Sequence, residues 1–119
     1  VSDGTLRLFS YLLLLAEVNP SSLLCIEEPE GLLHPDLLPV LMEELQRYAD
    51  RGGQVLVSTH SPWCLTPLSL IRFMRWLKYG GFSQVKRVSQ MPITVSLYRE
   101  GNKLGSLWEM GLIPEASCL

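Results

Sequence analysis

With 119 residues, of which 47% are apolar and 18% charged, the chain is long enough for one domain with one core and too short for two. A net charge of −2 argues against a protein that binds nucleic acid over its whole length. The longest apolar run, residues 11–16, is too short to span a bilayer. Three widely spaced cysteines, Cys25, Cys64 and Cys118, predict neither a disulfide framework nor a metal pair, and free thiols suit the cytoplasm.

The charge is divided unevenly along the chain. Residues 1–66 carry nine acids and three bases, a net charge of −6, whereas residues 67–119 carry three acids and seven bases, a net charge of +4. A solvated surface explains the basic half most simply. Contact with nucleic acid or with a partner is the alternative.

The first predicted element is a helix over residues 5–18, TLRLFSYLLLLAEV. It is apolar nearly all round, with Arg7, Ser10 and Glu17 on one narrow stripe, so we expect it to be buried on most sides. The preceding VSDGT contains N-cap residue types and a glycine that allows a ligand to approach the backbone. N–H groups at a helix start attract phosphate, although plain capping explains the same residues.

Two short strands and a helix are predicted next. Residues 23–27 and 54–58 are strand-like, and residues 36–50 between them form an amphipathic helix with Pro39 in its first turn. This order predicts a right-handed crossover with two parallel strands side by side, the first covered on both faces. Open α/β sheets bind ligands at the carboxyl ends of such strands.

The rest of the chain gives weaker signals. Residues 70–77 and 84–88 are predicted to pair as a hairpin across KYGGF. Residues 93–99 fit either a strand or a short helix, and residues 104–113 predict a short closing helix or turn.

Acidic residues and a histidine follow the two predicted strands. Glu27 ends the first strand and Glu28 comes next, and adjacent residues of an extended chain point in opposite directions. One carboxylate can then help to hold Mg²⁺ while the other orients or deprotonates a water, as nucleotide hydrolysis requires. His60 ends the second strand, and we expect it beside Glu28, within reach of a γ-phosphate. A histidine that caps the loop is the structural alternative.

Three segments in this order resemble motifs of ATP-binding-cassette-like ATPases, most closely the RecF/SMC-like and OLD-type branch of AAA-type core ATPases. VSDGT looks like the signature motif, LLCIEEPEGLLHP like the Walker B strand with its D-loop, and VLVSTHSP like the switch-histidine strand. LGSLWEMGLI resembles a C-terminal pattern of the branch. The resemblance is good over residues 1–66 and loose beyond them.

The resemblance implies a role for each matching residue near the two strands. Glu27 would be the Walker B acid that helps to hold Mg²⁺, Glu28 the catalytic base, and His60 the switch histidine. Residues 30–34 would run across a dimer interface. Gly31 and Leu32 stand where the branch usually has Asn–Gly, a departure that concerns the geometry of the D-loop.

The signature motif would act on a neighbouring subunit. Ser2, Asp3 and Gly4 would bind the ATP held by that subunit, with Ser2 and Gly4 at its γ-phosphate. This arrangement implies a head-to-tail dimer.

The fold implied by the resemblance is α/β: the C-terminal half of a P-loop NTPase of ABC type, with parallel strands, flanking helices and a C-terminal hairpin region. Residues 1–66 would carry the motifs of a partial ATPase domain, and residues 67–119 its C-terminal subregion. The sequence contains no phosphate-binding G-x-x-x-x-G-K-[ST] motif. We therefore expect a cytoplasmic, non-membrane protein that hydrolyses ATP only with a Walker A-containing partner, and whose half-sheet exposes apolar surface.

Two other functions are compatible with the sequence. The chain could be a non-catalytic interaction or nucleic-acid-binding remnant of such an ATPase. It could also hold a divalent metal without nucleotide, using five side chains: Glu27, Glu28, Glu30, His34 and His60.

Overall fold

The computed structural model describes residues 2–69 and 72–113. Val1 of the first motif, Leu70 and Ile71 at the start of the predicted hairpin, and Cys118 lie outside the described residues. The chain forms two compact units, Val1–Cys64 and Leu65–Leu119. Each has buried apolar side chains of its own, so the expectation of a single core is wrong.

The first unit contains two helices and two strands. They are α1 (Asp3–Leu15), β1 (Leu24–Glu27), α2 (Leu38–Asp50) and β2 (Val55–Ser58), with 3₁₀ turns at Pro29–Gly31 and Pro35–Leu37. A one-turn helix, α3 (Pro62–Leu65), ends at the first residue of the second unit. The strands are parallel neighbours, with Leu24 opposite Val55 and Glu27 opposite Ser58. The predicted pairing of the two strands is therefore confirmed, and the unit is a mixed α/β arrangement with a parallel sheet.

Helix α2 supplies five of the ten buried residues in the described part of the first unit. Pro39 lies in its first turn, where the missing N–H leaves no helical bond unmade. Tyr48 is fully buried, and its hydroxyl accepts a hydrogen bond from the Ser21 N–H at 2.6 Å. Arg51, just after the helix, donates to the carbonyl oxygens of Leu15 and Glu17 and so ties the end of α2 to the end of α1.

Helix α1 differs from the sequence-based expectation. Leu15 is its one buried residue within the described chain, whereas four large apolar side chains are 42% to 59% exposed: Leu6, Phe9, Leu12 and Leu13. The sheet is likewise covered on one face only. Ile26 is buried, but its neighbour Cys25 and the paired Leu56 are exposed. The predictions of a helix buried on most sides and a strand covered on both faces are therefore wrong, because two strands and two helices leave no further layer to cover them.

The second unit is built on an antiparallel hairpin. Strand β3 (Met74–Tyr79) pairs with β4 (Phe82–Arg87), and the connecting Gly80 and Gly81 both have positive φ, as a tight two-residue hairpin turn requires. The predicted hairpin is therefore confirmed, but its strands comprise residues 74–79 and 82–87 and not 70–77 and 84–88, so the turn is shorter than KYGGF.

Two short helices follow the hairpin, α4 (Pro92–Arg99) and α5 (Leu104–Glu109), so the helical alternative holds for residues 93–99. The core of this unit consists of six buried apolar side chains: Leu65, Phe73, Val88, Leu104, Leu107 and Ile113. No helix within residues 2–69 and 72–113 combines the length and the apolar character that crossing a bilayer requires.

Candidate functional site

The candidate site lies at the carboxyl ends of β1 and β2. Glu27 and Ser58 are register partners at the last position of each strand, and both are exposed. The Glu28 N–H donates to the Ser58 carbonyl oxygen at 2.9 Å, which extends the ladder by one bond beyond β1. The parallel pairing therefore delivers the residues that follow both strands to one edge of the sheet.

Glu28 has an unusual backbone conformation. Its φ of 42° and ψ of 62° are left-handed, and no other non-glycine residue in the described part of the chain has a positive φ. A left-handed L-residue costs about 1–2 kcal/mol, and such strain is found preferentially at functional sites. Glu28 is therefore not part of an extended strand, as the sequence analysis assumed, and whether its side chain points away from that of Glu27 stays a prediction. The chain leaves the extended conformation at Glu28 and turns into the 3₁₀ turn that begins with the buried Pro29.

The turn brings the Glu28 carboxylate to His60. Glu28 Oε1 lies 3.4 Å from His60 Nε2, and the two side chains are 55% and 84% exposed. A contact between side chains this exposed adds little stability. Its position, open to solvent at the sheet edge, leaves both groups accessible to a ligand or to an attacking water.

A third acid, Glu30, bonds to the loop that carries His60. Glu30 Oε1 accepts hydrogen bonds from the Thr59 hydroxyl at 2.9 Å and from the His60 N–H at 2.7 Å. Glu30 Oε2 is buried and has no hydrogen-bond partner among the described residues. The sequence analysis assigned Glu30 to a dimer interface or, in one alternative, to a metal site, and missed this contact. The sequence pattern that could have predicted this contact is weak, because it consists only of an acid two residues after Glu28 and a threonine immediately before His60.

The thiol of Cys64 lies close to this network. Cys64 is fully buried, and burial raises the pKa of its thiol. A hydrogen bond with Thr59 lowers that pKa, and the charge of Glu30 raises it, with a net increase. Glu30, Thr59 and Cys64 thus form a polar cluster next to the His60 loop.

The start of α1 carries the other predicted binding residues. Ser2 caps the helix: its hydroxyl accepts from the Thr5 N–H at 3.2 Å and lies 2.8 Å from the Thr5 hydroxyl. Asp3 is exposed in the first turn. A Cβ on Gly4 would collide with the carbonyl oxygen of Leu32. Helix capping and packing against Leu32 therefore account for Ser2 and Gly4 within this chain, and their contact with nucleotide stays a prediction.

The donor atoms at the sheet edge fit part of a Mg²⁺–nucleotide site. Magnesium is bound in proteins by one or two carboxylates together with substrate phosphates and water. Glu27 offers an exposed carboxylate at the end of β1, with the Ser58 hydroxyl opposite it. The carboxylate of Glu28 contacts His60, so Glu27 is the better candidate for the metal ligand.

The arrangement does not fit a metal site made by protein side chains alone. Within residues 2–69 and 72–113, no group of three or more His, Cys, Asp or Glu side chains is placed to hold a metal ion. His34 instead caps the Pro35–Leu37 turn, where its Nδ1 accepts from the Asp36 N–H at 3.4 Å. The hypothesis of a protein-only metal site is therefore wrong for the described residues.

Comparison with known protein families matches residues 1–63 to a family described as "AAA domain, putative AbiEii toxin, Type IV TA system". No match to a curated protein or to a solved structure was found. The matched region covers more than half of the 119 residues and includes Glu27, Glu28 and His60. The chain therefore belongs to this family of AAA domains, which are nucleotide-binding modules of the ATPase type.

Proposed function

We propose that the chain is the C-terminal part of an ATP-hydrolysing module of the ABC/RecF/SMC-like type. The observation that carries the proposal is the pairing of Glu28 with His60 at 3.4 Å, at the carboxyl edge of two parallel strands. A general base and a group that can contact phosphate must lie this close together to act on one water molecule and one phosphoryl group.

Each side chain at the sheet edge has a distinct task in this proposal. Glu27, with Ser58 opposite, would hold Mg²⁺ through an oxygen ligand or a bound water. Bound Mg²⁺–ATP would supply the phosphoanhydride bond, with the metal neutralising charge on its phosphates. Glu28 would accept the proton of the attacking water at a carboxylate oxygen. His60 in its neutral form has one imidazole N–H, which would hold Glu28 in position before ATP binds and donate to the γ-phosphate afterwards.

Phosphate binding would come from a second segment. The sequence lacks a G-x-x-x-x-G-K-[ST] motif, whose backbone N–H groups and lysine cradle the phosphates. The exposed apolar side chains of α1 and of the sheet, such as Phe9 and Leu56, support a partner that covers them. The partner proposed here is a Walker A-containing segment or protein. In a head-to-tail dimer, Ser2, Asp3 and Gly4 would then reach the ATP of the other subunit.

The proposal is tested by joining the 119-residue chain to a segment that carries a Walker A motif and measuring phosphate release. Glu28→Gln keeps the size of the side chain and removes its basicity, so we expect turnover to fall by about 10²–10⁴-fold while ATP binding persists. Glu43→Gln, an exposed position on α2, is the matched control and should leave turnover unchanged. Equal turnover in the Glu28→Gln variant and the wild type would refute the assignment.

The second candidate function is a non-catalytic module that binds nucleic acid or an acidic partner. It is favoured by the hairpin of the second unit, where all six residues of β4 are exposed, including Lys86 and Arg87. Phosphate contacts by basic side chains make binding strongly salt-dependent. Fluorescence anisotropy with a labelled DNA duplex at low and moderate salt tests this candidate. Absence of binding at low salt, or equal binding by a Lys86→Ala/Arg87→Ala variant, removes the nucleic-acid version.

A further inference from the structure

The loop after β2 is held by hydrogen bonds at three consecutive residues. The Thr59 hydroxyl and the His60 N–H both donate to Glu30 Oε1, and the Ser61 N–H donates to Thr59 Oγ1 at 2.9 Å. Glu30 lies 29 residues before Thr59 in sequence, so its carboxylate connects the ends of the two strands. Loss of this one side chain would remove the bonds of both Thr59 and His60 to the end of β1.

The imidazole of His60 depends on that backbone because little else constrains it. The His60 side chain is 84% exposed, and its Nε2 lies 3.4 Å from Glu28 Oε1. A side chain without packing around it occupies a defined position only when its backbone is fixed. Of the two hydrogen bonds to Glu30, one fixes the His60 backbone directly through its N–H, and the other holds Thr59, the residue before it.

Glu30 is itself held in place by the turn that begins at Glu28. The Gly31 N–H donates to the Glu28 carbonyl oxygen at 3.1 Å, and Pro29 between them is buried. The left-handed conformation of Glu28 and the position of the Glu30 carboxylate therefore belong to one hydrogen-bonded turn. The same turn that directs Glu28 toward His60 also supplies the acceptor that holds the His60 backbone.

We propose that Glu30 is a positioning residue that sets the distance between Glu28 and His60 by accepting hydrogen bonds from Thr59 and from the His60 N–H. The consequence for catalysis rests on the proposed ATPase function. The positioning of His60 by Glu30 does not depend on that function, because the hydrogen bonds lie within the 119-residue chain.

Amide hydrogen exchange of the 119-residue chain tests the positioning directly. A hydrogen bond to a charged acceptor changes an opening equilibrium by about tenfold to a hundredfold, so Glu30→Ala should speed exchange at the His60 amide by at least about tenfold. Glu30→Gln retains a carbonyl oxygen at the same place and should keep most of the protection. Glu43→Ala, on the exposed face of α2, is the matched control. Unchanged exchange at His60 in a folded Glu30→Ala variant overturns the proposal.

A second measurement needs no variant. Nuclear magnetic resonance detects scalar coupling across a hydrogen bond, here between the His60 amide nitrogen and the side-chain carboxylate carbon of Glu30 in the wild-type chain. Coupling between these nuclei supports the proposal even if Glu30→Ala fails to fold. Its absence, in a spectrum that shows couplings across the β1–β2 ladder, overturns it.

Turnover of the chain joined to a Walker A segment tests the catalytic consequence. We expect Glu30→Ala to lower kcat about tenfold or more with little change in KM for ATP, and Glu30→Gln to recover most of the loss. A loss confined to KM, or an equal loss in both variants, overturns positioning as the cause. If the wild-type assembly shows no turnover, the proposed ATPase function fails, and the exchange and coupling measurements still decide the role of Glu30.

Discussion

Replacing Gly4 by alanine separates two explanations for a glycine at the start of α1. The resemblance to ATPase signature motifs assigns Gly4 to close contact with a nucleotide on another subunit. The structure gives it a task inside the chain, because a Cβ at this position would collide with the carbonyl oxygen of Leu32. The first explanation predicts no effect on the stability of the isolated chain, and the second predicts a loss.

The size of the loss follows from two opposing contributions. Forcing an extra carbon against backbone costs about 1–3 kcal/mol, because backbone atoms cannot swing away as a flexible side chain can. Alanine gains up to about 1 kcal/mol over glycine in a helix interior, and less in the first turn. We therefore expect Gly4→Ala to lower the free energy of unfolding by about 1–2 kcal/mol.

Gly31→Ala provides the matched control in the same unit. A Cβ on Gly31 meets no atom within 4 Å, and Gly31 does not have a positive φ. The substitution should be neutral or should stabilise the chain by up to about 1 kcal/mol by restricting the unfolded state. Urea unfolding followed by circular dichroism, without nucleotide, compares the two variants. If Gly4→Ala is as stable as Gly31→Ala, the packing explanation is refuted and ligand contact becomes the better account of Gly4.

Three further predictions concern stability. Tyr48→Phe leaves the Ser21 N–H without its acceptor and should cost about 1 kcal/mol in urea unfolding; a cost near zero would mean that water replaces the hydroxyl. Leu41→Ala, at a fully buried position, should lower the free energy of unfolding by about 2–5 kcal/mol. Leu13→Ala, on the exposed side of α1, should change it by no more than about 0.5 kcal/mol. Similar losses at both positions would contradict the observed burial. The raised pKa of Cys64 means that the folded chain holds the thiol proton more tightly than the unfolded chain. The contribution of the protonated thiol to stability is therefore fully present below the ordinary pKa of 9.0 and is lost as the pH rises above it. Cys64→Ala should flatten this alkaline decline in a pH series of unfolding curves, and an unchanged decline would assign it to another group.

The predictions that held rest on local patterns. The β1–α2–β2 unit followed from two short apolar runs separated by an amphipathic helix, and a chain with that pattern buries its apolar stripe best as a crossover. The hairpin followed from Gly80 and Gly81, because two adjacent glycines allow the positive φ values of a tight turn. Parallel pairing predicted that Glu28 and His60 lie at the same edge of the sheet, because they follow β1 and β2 by one and two residues. The contact itself also needs the turn at Glu28.

The expectations that failed depend on what surrounds an element. An apolar pattern shows which faces of a helix favour burial, but it does not show whether anything covers them. In α1, Phe9 and Leu13 are exposed although the pattern is that of a buried helix. The conformation of Glu28 also could not be read from its neighbours in sequence, because the turn is stabilised by bonds formed only after β1 and β2 have paired.

The sequence by itself determined the order of the elements, the pairing of the two strands, and the residues that gather at their carboxyl ends, because periodicity and turn chemistry act over a few residues. Only the tertiary structure decided how those residues are arranged. It placed Glu28 in a left-handed turn, joined Glu30 to the His60 loop across 30 positions of sequence, and set Gly4 against Leu32. Contacts between segments so distant in sequence depend on how the chain closes on itself, and no local pattern encodes them.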